Sequence, residues 1–441
     1  MRFDEALTEV ASFGVADNLG RLREHLKPEW IEDALAWTGT TTIRRRRLPA
    51  EQVVWLVVGM GLFRNDPIER VVDMLQLALP DGRDTLVAKS AISKARKRLT
   101  EEPLAYLFET TAAEWSARSA AAHRWRDLTV YGMDGSTLRV PDSPENRAEF
   151  GGQKAGGGRG ESGYPLVRMV ALMALRSHIL SSFRFAPYAT GETTLAREMW
   201  AELPENSLVI VDRNFLVKKD LVRLELSGNR HWLSRTKSNT RWAVVEKLAK
   251  DDHLVELEVK EPGLPKTWPI RAIHYKRKGY PMATLLTSLT DHKKYPAKEL
   301  IALYHERWET ELAYDEVKTH LLDRHEAIRS KSPEGVRQEL WGIALAYNLV
   351  RVEMERTAAL AKVPPMRISF TGSLALIRDE VGRMGGERFA PGTIPKRLEH
   401  LRRYLKRLIL PERRPERAFP RAVKLKISNY PRKRPAKRRT K

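Results

Sequence analysis

The chain has 441 residues, and 78 lysines and arginines against 56 aspartates and glutamates give it a formal net charge of +22 at pH 7. Its 42% hydrophobic content excludes global disorder, and its length predicts about two to four folding units. The absence of cysteine excludes disulfides, thiolate catalysis and cysteine zinc sites. No apolar run reaches the roughly 18 residues of a membrane span, and no signal peptide is recognisable. We therefore expect a soluble cytoplasmic protein.

Residues 1–125 are predicted to form a helical domain, because apolar residues recur there at three- and four-residue spacing. The predicted helices cover 50–62, 67–79 and 90–107. The third has a strongly basic face, formed by Lys94, Arg96, Lys97 and Arg98. This pattern favours a DNA-binding domain in which the basic helix contacts DNA. An ordinary helical domain with a solvated basic face explains the pattern equally well.

From residue 126 the apolar pattern changes from helical to strand periodicity. Four strands are predicted, at 128–133, 137–140, 164–175 and 179–188. The first two are expected to be joined by a tight turn at Gly135. The glycine-rich stretch 151–163 lacks the G-K-[ST] ending of a phosphate-binding loop, and no helix follows it. We interpret it as a long hairpin connection.

Helices and strands then alternate, as in an α/β sheet. The predicted elements are a helix at 191–203, a strand at 207–211 and a helix at 216–226. Sequence patterns typical of strands return at 254–260, 268–274 and 282–288, and proline and glycine residues separate them. Two long helices are predicted after it, at 296–320 and 333–361.

The C-terminal end holds most of the net charge. Residues 396–441 contain 19 lysines and arginines against three glutamates, a net charge of +16, which leaves +6 for the rest of the chain. A run such as Arg432–Arg439 has no apolar face to bury, so we expect a solvated tail that binds a polyanion by releasing counterions. A merely solubilising tail is the alternative.

Two aspartates end apolar strands. Asp134 follows the apolar residues 130–133, and Asp212 follows 208–211. Either one alone is weak evidence for a site, because strand-terminal aspartates commonly cap the next turn or helix. A zinc hydrolase is a poor fit, since the chain has neither cysteine nor an HExxH motif.

A third acid, Glu311, has polar companions on the predicted helix 296–320. At about 100° per residue, Tyr304, Arg307 and Lys318 fall within a strip about 60° wide around Glu311. An exposed helix could produce the pair Arg307 and Glu311 by chance. The complete spacing Tyr-x2-Arg-x3-Glu-x6-Lys is much less common.

This spacing resembles the Y-R-E-K signature of the insertion sequence four family of bacterial DDE transposases. Asp134-Gly135-Ser136 is similar to the first acidic motif of that family, and Asp212-Arg213-Asn214-Phe215 to its second. Further segments that are similar to sequences of this family lie at 30–46, 289–291, 295–297 and 328–333. The resemblance extends over roughly residues 20–430.

The resemblance implies an α/β fold with an RNase H-like catalytic core, a β-rich insertion, a helical N-terminal domain and a helical, basic C-terminal region. The separation of 99 positions from Asp212 to Glu311 would contain the insertion. The implied division is a helical, DNA-binding domain at 1–125, core at 126–237, insertion at 238–290, core at 291–330, C-terminal helices for dimer or DNA contacts at 331–410 and a basic tail at 411–441.

The resemblance also implies that Asp134, Asp212 and Glu311 are the catalytic carboxylates and bind two Mg²⁺ ions, for which Mn²⁺ can substitute. The chemistry agrees, because two divalent ions can activate an oxygen nucleophile and stabilise the leaving oxygen in phosphodiester cleavage. The implied role of Tyr304, Arg307 and Lys318 is to hold DNA phosphates beside these acids.

The implied activity is cut-and-paste transposition. A homodimer would bind double-stranded DNA at terminal inverted repeats, cleave the ends by hydrolysis and hairpin formation, and join the 3′-hydroxyls to target DNA. We expect such a protein at the bacterial nucleoid. Trp242 and Trp268 are candidates to stack on an extruded base. Alternatives are a structure-selective nuclease and a DNA-binding protein with an inactive site.

Overall fold

A computed structural model describes residues 25–42, 47–78, 86–153, 163–237, 239–277, 280–324, 327–384 and 394–412. Most of the glycine-rich stretch and most of the predicted basic tail lie outside these ranges. Within them, no helix is both long and apolar enough to cross a membrane.

Helices form both ends of the described chain and flank a central sheet. The N-terminal helices are α1 Pro28–Trp37, α2 Ala50–Leu62, α3 Ile68–Met74, α4 Lys89–Leu99 and α5 Glu102–Ala122. Those between or after strands are α6 Pro144–Phe150, α7 Glu192–Met199, α8 Lys218–Leu226, α9 Ala297–His305 and α10 Trp308–Asp315. The C-terminal helices are α11 Pro333–Ala361, α12 Phe370–Met384 and α13 Ile394–Leu405.

The described strands form one nine-stranded sheet. They are β1 Thr129–Arg139, β2 Leu166–Ala174, β3 Ile179–Pro187, β4 Ser207–Val211, β5 Arg230–Arg235, β6 Ala243–Ala249, β7 Asp252–Glu258, β8 Thr267–Tyr275 and β9 Ala283–Thr287. Their order across the sheet is β3-β2-β1-β4-β5-β9-β8-β7-β6. Strand β2 is antiparallel to both of its neighbours, β1 and β3, whereas β4 is parallel to both of its neighbours, β1 and β5.

The prediction of two short strands around Gly135 is wrong, because β1 runs through this position without a turn. Asp134, Gly135 and Ser136 pair in unbroken register with Ala171, Val170 and Met169 of β2. Continuous pairing to a long partner strand overrides the turn preference of an isolated glycine.

The prediction of one helix at 90–107 is also wrong. Thr100 has φ of +61°, a backbone conformation that does not occur in a helix interior. The chain therefore turns between α4 and α5, although the apolar spacing continues through the break. The predicted helix 67–79 is likewise shorter, since only α3 is helical there.

Side chains of the central strands alternate between two apolar clusters, as a sheet covered on both faces requires. Val209 and Val211 of β4 pack in a cluster that also contains residues of α7 and α8. Leu208 and Ile210 pack on the opposite face with residues of α9. The sheet therefore forms the middle layer between two sets of helices.

The strand-rich segment predicted at 238–290 continues the same sheet. Strand β9 pairs antiparallel with β5, and β8, β7 and β6 follow outwards. Strands β7 to β9 correspond to the three predicted strands, and β6 precedes them. The predicted helix 333–361 is confirmed as α11, where the Ser332 hydroxyl accepts a hydrogen bond from the Gly335 N–H and Pro333 occupies the first turn.

Candidate active site

The first two predicted acids lie side by side at one edge of the sheet. Strands β1 and β4 are parallel neighbours whose last paired residues are Met133 and Val211. Asp134 and Asp212 follow these residues directly. Strand β4 ends here, whereas β1 continues alongside β2, so the two carboxylates lie together at the point where β1 and β4 stop pairing.

Asp134 is partly buried and lies near a second negative charge. Its Oδ1 accepts a hydrogen bond from the N–H of Gly135 at 2.8 Å, and its Oδ2 accepts one from the Thr310 hydroxyl at 3.3 Å. Burial raises the pKa of Asp134 to about 6, and the neighbouring charge of Asp212 contributes to the rise. A partly desolvated carboxylate beside another acid favours a bound cation.

Asp212 is held by the turn that follows β4. Its Oδ1 accepts a hydrogen bond from the backbone N–H of Asn214 at 2.6 Å, which caps the 3₁₀ turn Arg213–Phe215. Ser234 at the end of β5 donates a hydrogen bond to the Asp212 carbonyl at 3.2 Å. The ordinary capping role of this aspartate therefore also orients its carboxylate beside Asp134.

Helix α10 carries Glu311 across β1. Thr310 is fully buried, and a Cβ atom added at Gly132 would lie 2.6 Å from its methyl carbon. Only glycine at position 132 permits this approach. Tyr314, one turn after Glu311, donates its hydroxyl hydrogen bond to the carbonyl of Asp134 at 2.8 Å. These contacts fix the helix directly over the strand that bears Asp134.

Arg307 lies between two of the three predicted acids. Its Nη2 donates a hydrogen bond to Glu311 Oε1 at 2.7 Å, and its Nη1 is 4.0 Å from Asp134 Oδ2. Within the described ranges, no three acidic or histidine side chains stand close enough to share one metal ion. The structure therefore pairs Asp134 with Asp212 and connects Glu311 to them through an arginine.

The prediction of one helix at 296–320 is wrong, and so is the 60° strip calculated from it. The segment consists of α9, α10 and a π turn at Glu316–Leu321, with Glu306 and Arg307 between the two α-helices. A break and a π turn, which bonds residue i to i+5, both change the rotation per residue. The polar companions of Glu311 therefore occupy different elements.

Lys318, in the π turn, is close to the acids. Its Nζ donates a hydrogen bond to the hydroxyl of Ser136, two residues after Asp134. Burial lowers the pKa of Lys318, and the charge of Asp134 opposes this effect. Tyr304, at the end of α9, is buried in the apolar cluster beneath β1 and β4, and burial raises its pKa.

A fourth carboxylate at this edge was missed by the sequence interpretation. Glu192, the first residue of α7, accepts hydrogen bonds from Arg168 Nη1 at 2.9 Å and from the Asn214 side-chain amide at 3.1 Å. A Cβ atom added at Gly135 would lie 2.4 Å from its carboxyl carbon. An acid in the first turn of a helix is too common a feature to single out from sequence.

The predicted basic face of the helix now called α4 is divided by the structure. Arg96 lies inside, where its Nε donates a hydrogen bond to Gln338 at 2.7 Å and its Nη2 donates one to the carbonyl of Gly335 at 3.2 Å. Arg96 is therefore a contact to α11 and is removed from the candidate DNA-binding face. Of the predicted basic face, Lys94, Lys97 and Arg98 are exposed.

The two tryptophans proposed for base stacking differ in their surroundings. Trp268 is buried against Trp232, with ring centroids 5.2 Å apart, and its indole N–H donates a hydrogen bond to Glu225 at 3.1 Å. It is a core residue, so its prediction as a stacking residue is wrong. Trp242 is partly buried and packs at the edge of the same cluster.

Two family models of transposase domains match the chain. Residues 16–109 match the family model for the N-terminal domain of the insertion element 4 transposase, and residues 125–349 match the transposase DDE domain. A cryo-EM structure of a piggyBac transposase synaptic complex with hairpin DNA has a TM-score of 0.43 and 11% identity to this chain, covering 91% of this chain and 87% of that one.

Similarity to a transposase extends over nearly the whole sequence. Transposase InsG for insertion sequence element IS4 of Escherichia coli (strain K12) is 38% identical over 440 residues, which cover 98% of each protein. The predicted family resemblance is thereby confirmed. The chain belongs to the insertion sequence four family of DDE transposases.

Proposed function

We propose that this transposase works by a cut-and-paste mechanism, with Asp134, Asp212 and Glu311 as its catalytic carboxylates. The observation that carries the proposal is the adjacency of Asp134 and Asp212 where the parallel strands β1 and β4 stop pairing, beneath the helix that bears Glu311. Three hard oxygen donors at the edge of a sheet are the ligand set that a phosphodiester-cleaving enzyme requires.

We also propose that β1 to β5 form an RNase H-like core. The order β3-β2-β1-β4-β5, antiparallel in the first three strands and parallel from β1 onwards, supports this assignment. In this arrangement β6 to β9 belong to the insertion. In this proposal the chain returns from the insertion to the core through α9 and α10. Glu311 on α10 then lies at the same end of the core strands as Asp134 and Asp212.

The donor set fits divalent metal ions of the Mg²⁺ type. Asp134 and Asp212 combine partial burial with mutual repulsion, which a bound cation relieves. When bound, two such ions supply an activated oxygen nucleophile and charge compensation at the phosphate. Mn²⁺ can replace Mg²⁺ because both prefer oxygen ligands.

Arg307, Lys318 and Tyr304 would hold DNA phosphates in this mechanism. Tyr304 is buried, so it would have to become accessible to do so. Arg307 has to release Glu311 before that carboxylate can join the other two acids. A DNA phosphate is the natural competitor, because guanidinium groups bind carboxylates and phosphates by the same paired geometry. Arrival of DNA would thus free Glu311 at the moment its charge is needed.

The proposed substrate is double-stranded DNA at the terminal inverted repeats, held in a homodimer because two ends must be cut in concert. The freed 3′-hydroxyl would first form a hairpin on the transposon end and later attack target DNA. The exposed residues Lys94, Lys97 and Arg98 of α4 and the basic tail are candidates for sequence-independent phosphate contacts.

The test is strand cleavage of DNA that carries the repeats flanking the gene, with Mg²⁺ or Mn²⁺, comparing the native protein with Glu311→Gln. Loss of one metal-binding charge at nearly constant shape should reduce cleavage more than about a thousandfold, with DNA binding retained. Asp315→Asn, an exposed acid on the same helix, serves as the control.

Each other outcome points to one of the alternatives. Tight binding of the repeats without cleavage under either metal would indicate a DNA-binding protein with an inactive site. Cleavage without regard to the repeats would indicate a structure-selective nuclease. Equal cleavage by the native protein and Glu311→Gln would remove Glu311 from the catalytic set.

A further inference from the structure

Glu192 connects the two aspartates of the proposed site. Its Oε2 accepts a hydrogen bond from the side-chain amide of Asn214 at 3.1 Å. The backbone N–H of Asn214 in turn donates to Asp212 Oδ1 at 2.6 Å. On the β1 side, the carboxyl group of Glu192 occupies the space in which a side chain at position 135 would lie. The same carboxylate thus contacts the residue after Asp134 and the turn that is capped by Asp212.

Glu192 is itself fixed from behind. Its Oε1 accepts a hydrogen bond from Arg168 Nη1 at 2.9 Å. The Arg168 side chain also donates hydrogen bonds from Nε and Nη2 to the carbonyl of Tyr188, and its guanidinium lies 4.6 Å from the Tyr188 ring centroid. A carboxylate held by an arginine with three further contacts has little freedom to reorient.

We infer that Glu192 is a positioning residue of the transposase site: it holds Asn214, and through Asn214 it fixes the turn whose N–H orients the carboxylate of Asp212. The inference rests on the proposed catalytic role of Asp212. It also explains why position 135 is glycine within the first acidic motif, because any Cβ atom there would collide with the Glu192 carboxyl group.

The contacts argue against a direct metal-binding role for Glu192. Both of its oxygens already accept hydrogen bonds, one from a guanidinium and one from an amide. The carboxylate is therefore arranged to hold protein groups, in the manner of the hydrogen-bonded residues that orient ligands around metal centres.

Two substitutions separate these roles. Glu192→Gln retains an oxygen that can accept from Asn214, whereas Glu192→Ala removes the acceptor. If Glu192 positions the turn, the alanine variant should weaken Mn²⁺ binding about tenfold or more, the range for residues that orient metal ligands. The glutamine variant should recover most of this loss. If Glu192 were a metal ligand, both variants would be equally defective.

The experiment uses the full-length protein with Glu198→Ala, an exposed acid on α7, as the matched control. Mn²⁺ affinity is measured by electron paramagnetic resonance, and hydrogen–deuterium exchange is followed in a peptide covering residues 212–216. We expect faster exchange in that peptide for Glu192→Ala only. We also expect the double variant Glu192→Ala with Asn214→Ala to bind Mn²⁺ no more weakly than the single variants, because both disrupt one connection.

Unchanged exchange in Glu192→Ala, or losses of affinity that multiply in the double variant, would overturn the inference. The exchange measurement is made without metal or DNA, so it stands apart from the proposed function. If the native protein cleaves no repeat DNA while Glu192→Ala still releases the turn, the proposed function fails and the positioning contact remains. If cleavage is normal and the turn is unaffected, only the inference fails.

Discussion

At the residue scale, metal binding and stability of the metal-free protein place conflicting requirements on Asp134 and Asp212. A metal site needs their negative charges close together, but closeness and partial burial make each charge costly in the absence of a cation. The raised pKa of Asp134, about 6 against an ordinary 3.8, expresses this conflict. An arginine 4.0 Å away offsets only part of it.

This conflict predicts that Asp134→Asn stabilises the metal-free protein above pH 6 while abolishing cleavage. Between pH 3.8 and about 6 the folded state retains a proton that the unfolded state has lost, so the native protein loses stability as the pH rises through this window. At about 1.4 kcal/mol per pKa unit, the gain is at most about 3 kcal/mol.

Thermal unfolding in EDTA at pH 4 and pH 8 measures the effect. The melting temperature of Asp134→Asn should exceed that of the native protein at pH 8 and converge with it at pH 4. Asp251→Asn, at an exposed turn between β6 and β7, should show no such pH-dependent difference. A native protein that becomes more stable from pH 4 to 6 relative to Asp134→Asn would contradict the assigned sign.

Arg307 provides a prediction in which metal binding and activity change in opposite directions. Arg307→Gln removes a cation that bonds Glu311 at 2.7 Å, so the acids should bind Mn²⁺ several-fold to about tenfold more tightly without DNA. Cleavage should fall because glutamine cannot hold the DNA phosphate as the guanidinium is proposed to do. Calorimetric titration of DNA-free protein checks the first effect. Weaker Mn²⁺ binding would mean that Arg307 supports the acids and does not compete with the metal.

The sequence predicted the acids and Arg307 but not their supporting residues, for reasons that differ between residues. Asp134 and Asp212 each follow an apolar run and Arg307 stands four residues before Glu311, so local patterns single them out, and the family resemblance assigned their roles. Glu192 lies 58 residues from Asp134 and contributes through a contact that no local pattern encodes. Thr310 and Tyr314 are recognisable only once α10 is known to cross β1.

At the element scale, the π turn after α10 is held by a buried ionic network. Glu316 bonds the guanidinium of Arg351 and the hydroxyl of Tyr347, the latter at 2.7 Å. His178, fully buried, lies between Glu316 at 3.2 Å and Glu309 at 3.1 Å. This network joins the β2–β3 turn, α10 and α11. It sets the stretch between Glu311 and Lys318, where a π turn in place of an α-helix changes the spacing of the side chains.

We predict that Glu316→Gln destabilises the protein by about 3–5 kcal/mol, because it leaves the buried Arg351 without its partner. The double variant with Arg351→Met should lose less than the sum of the two single variants. Denaturant unfolding of the four proteins provides the measurement. Asp315→Asn, the exposed neighbour, should remain within about 0.5 kcal/mol of the native protein. Additive losses would show that the network contributes nothing as a unit.

The pH dependence of the same group has a defined sign. Although burial opposes ionisation, Arg351 and His178 lower the pKa of Glu316 to about 2. The folded-state pKa is therefore depressed, so this stabilisation is fully present above pH 4.5 and is lost as the pH falls towards 2. The difference in unfolding free energy between native and Glu316→Gln proteins should shrink over this window.

Elements with one buried apolar run were predictable, and elements shaped by distant contacts were not. The strand Ser207–Val211 and the helix Pro333–Ala361 agree with their predicted limits because their patterns are internally consistent. The π turn in the predicted helix 296–320 is held by contacts of Glu316 to His178 and Arg351, far away in sequence. Periodicity cannot report such contacts, because the apolar spacing continues across the break.

At the scale of the whole molecule, the N-terminal helices share a core with the C-terminal ones. One apolar cluster contains residues of α1 to α5, β2, β3 and α11 to α13. Arg329, just before α11, donates hydrogen bonds to the carbonyls of Phe63 at 2.6 Å and Asp66 at 2.7 Å, at the end of α2. The helical periodicity of residues 1–125 suggested a separate N-terminal domain. These contacts instead pack the described N-terminal helices against the rest of the protein. A DNA duplex bound to the exposed face of α4 would therefore be held in a fixed relation to the acids.

The basic tail is proposed to contribute to DNA binding in a different way, and its removal provides the last prediction. Arg367 donates a hydrogen bond to the carbonyl of Leu410 at 2.7 Å and lies 3.4 Å from the carboxylate of Glu412, so truncation after Glu412 preserves these contacts. The truncation removes 13 lysines and arginines and one glutamate. Thermal unfolding should be unchanged, which controls for the fold.

DNA affinity should fall for repeat and unrelated sequences alike if, as proposed, the tail neutralises phosphates and reads no bases. The slope of log affinity against log salt concentration should become shallower by about 0.9 for each phosphate that the tail had neutralised, so both proteins should converge at high salt. Fluorescence anisotropy over a salt series, with both kinds of DNA, measures slope and preference together. If preference for the repeats vanished while general affinity survived, the tail would have to contact bases, and sequence recognition would have to be assigned to the tail as well as to the folded part.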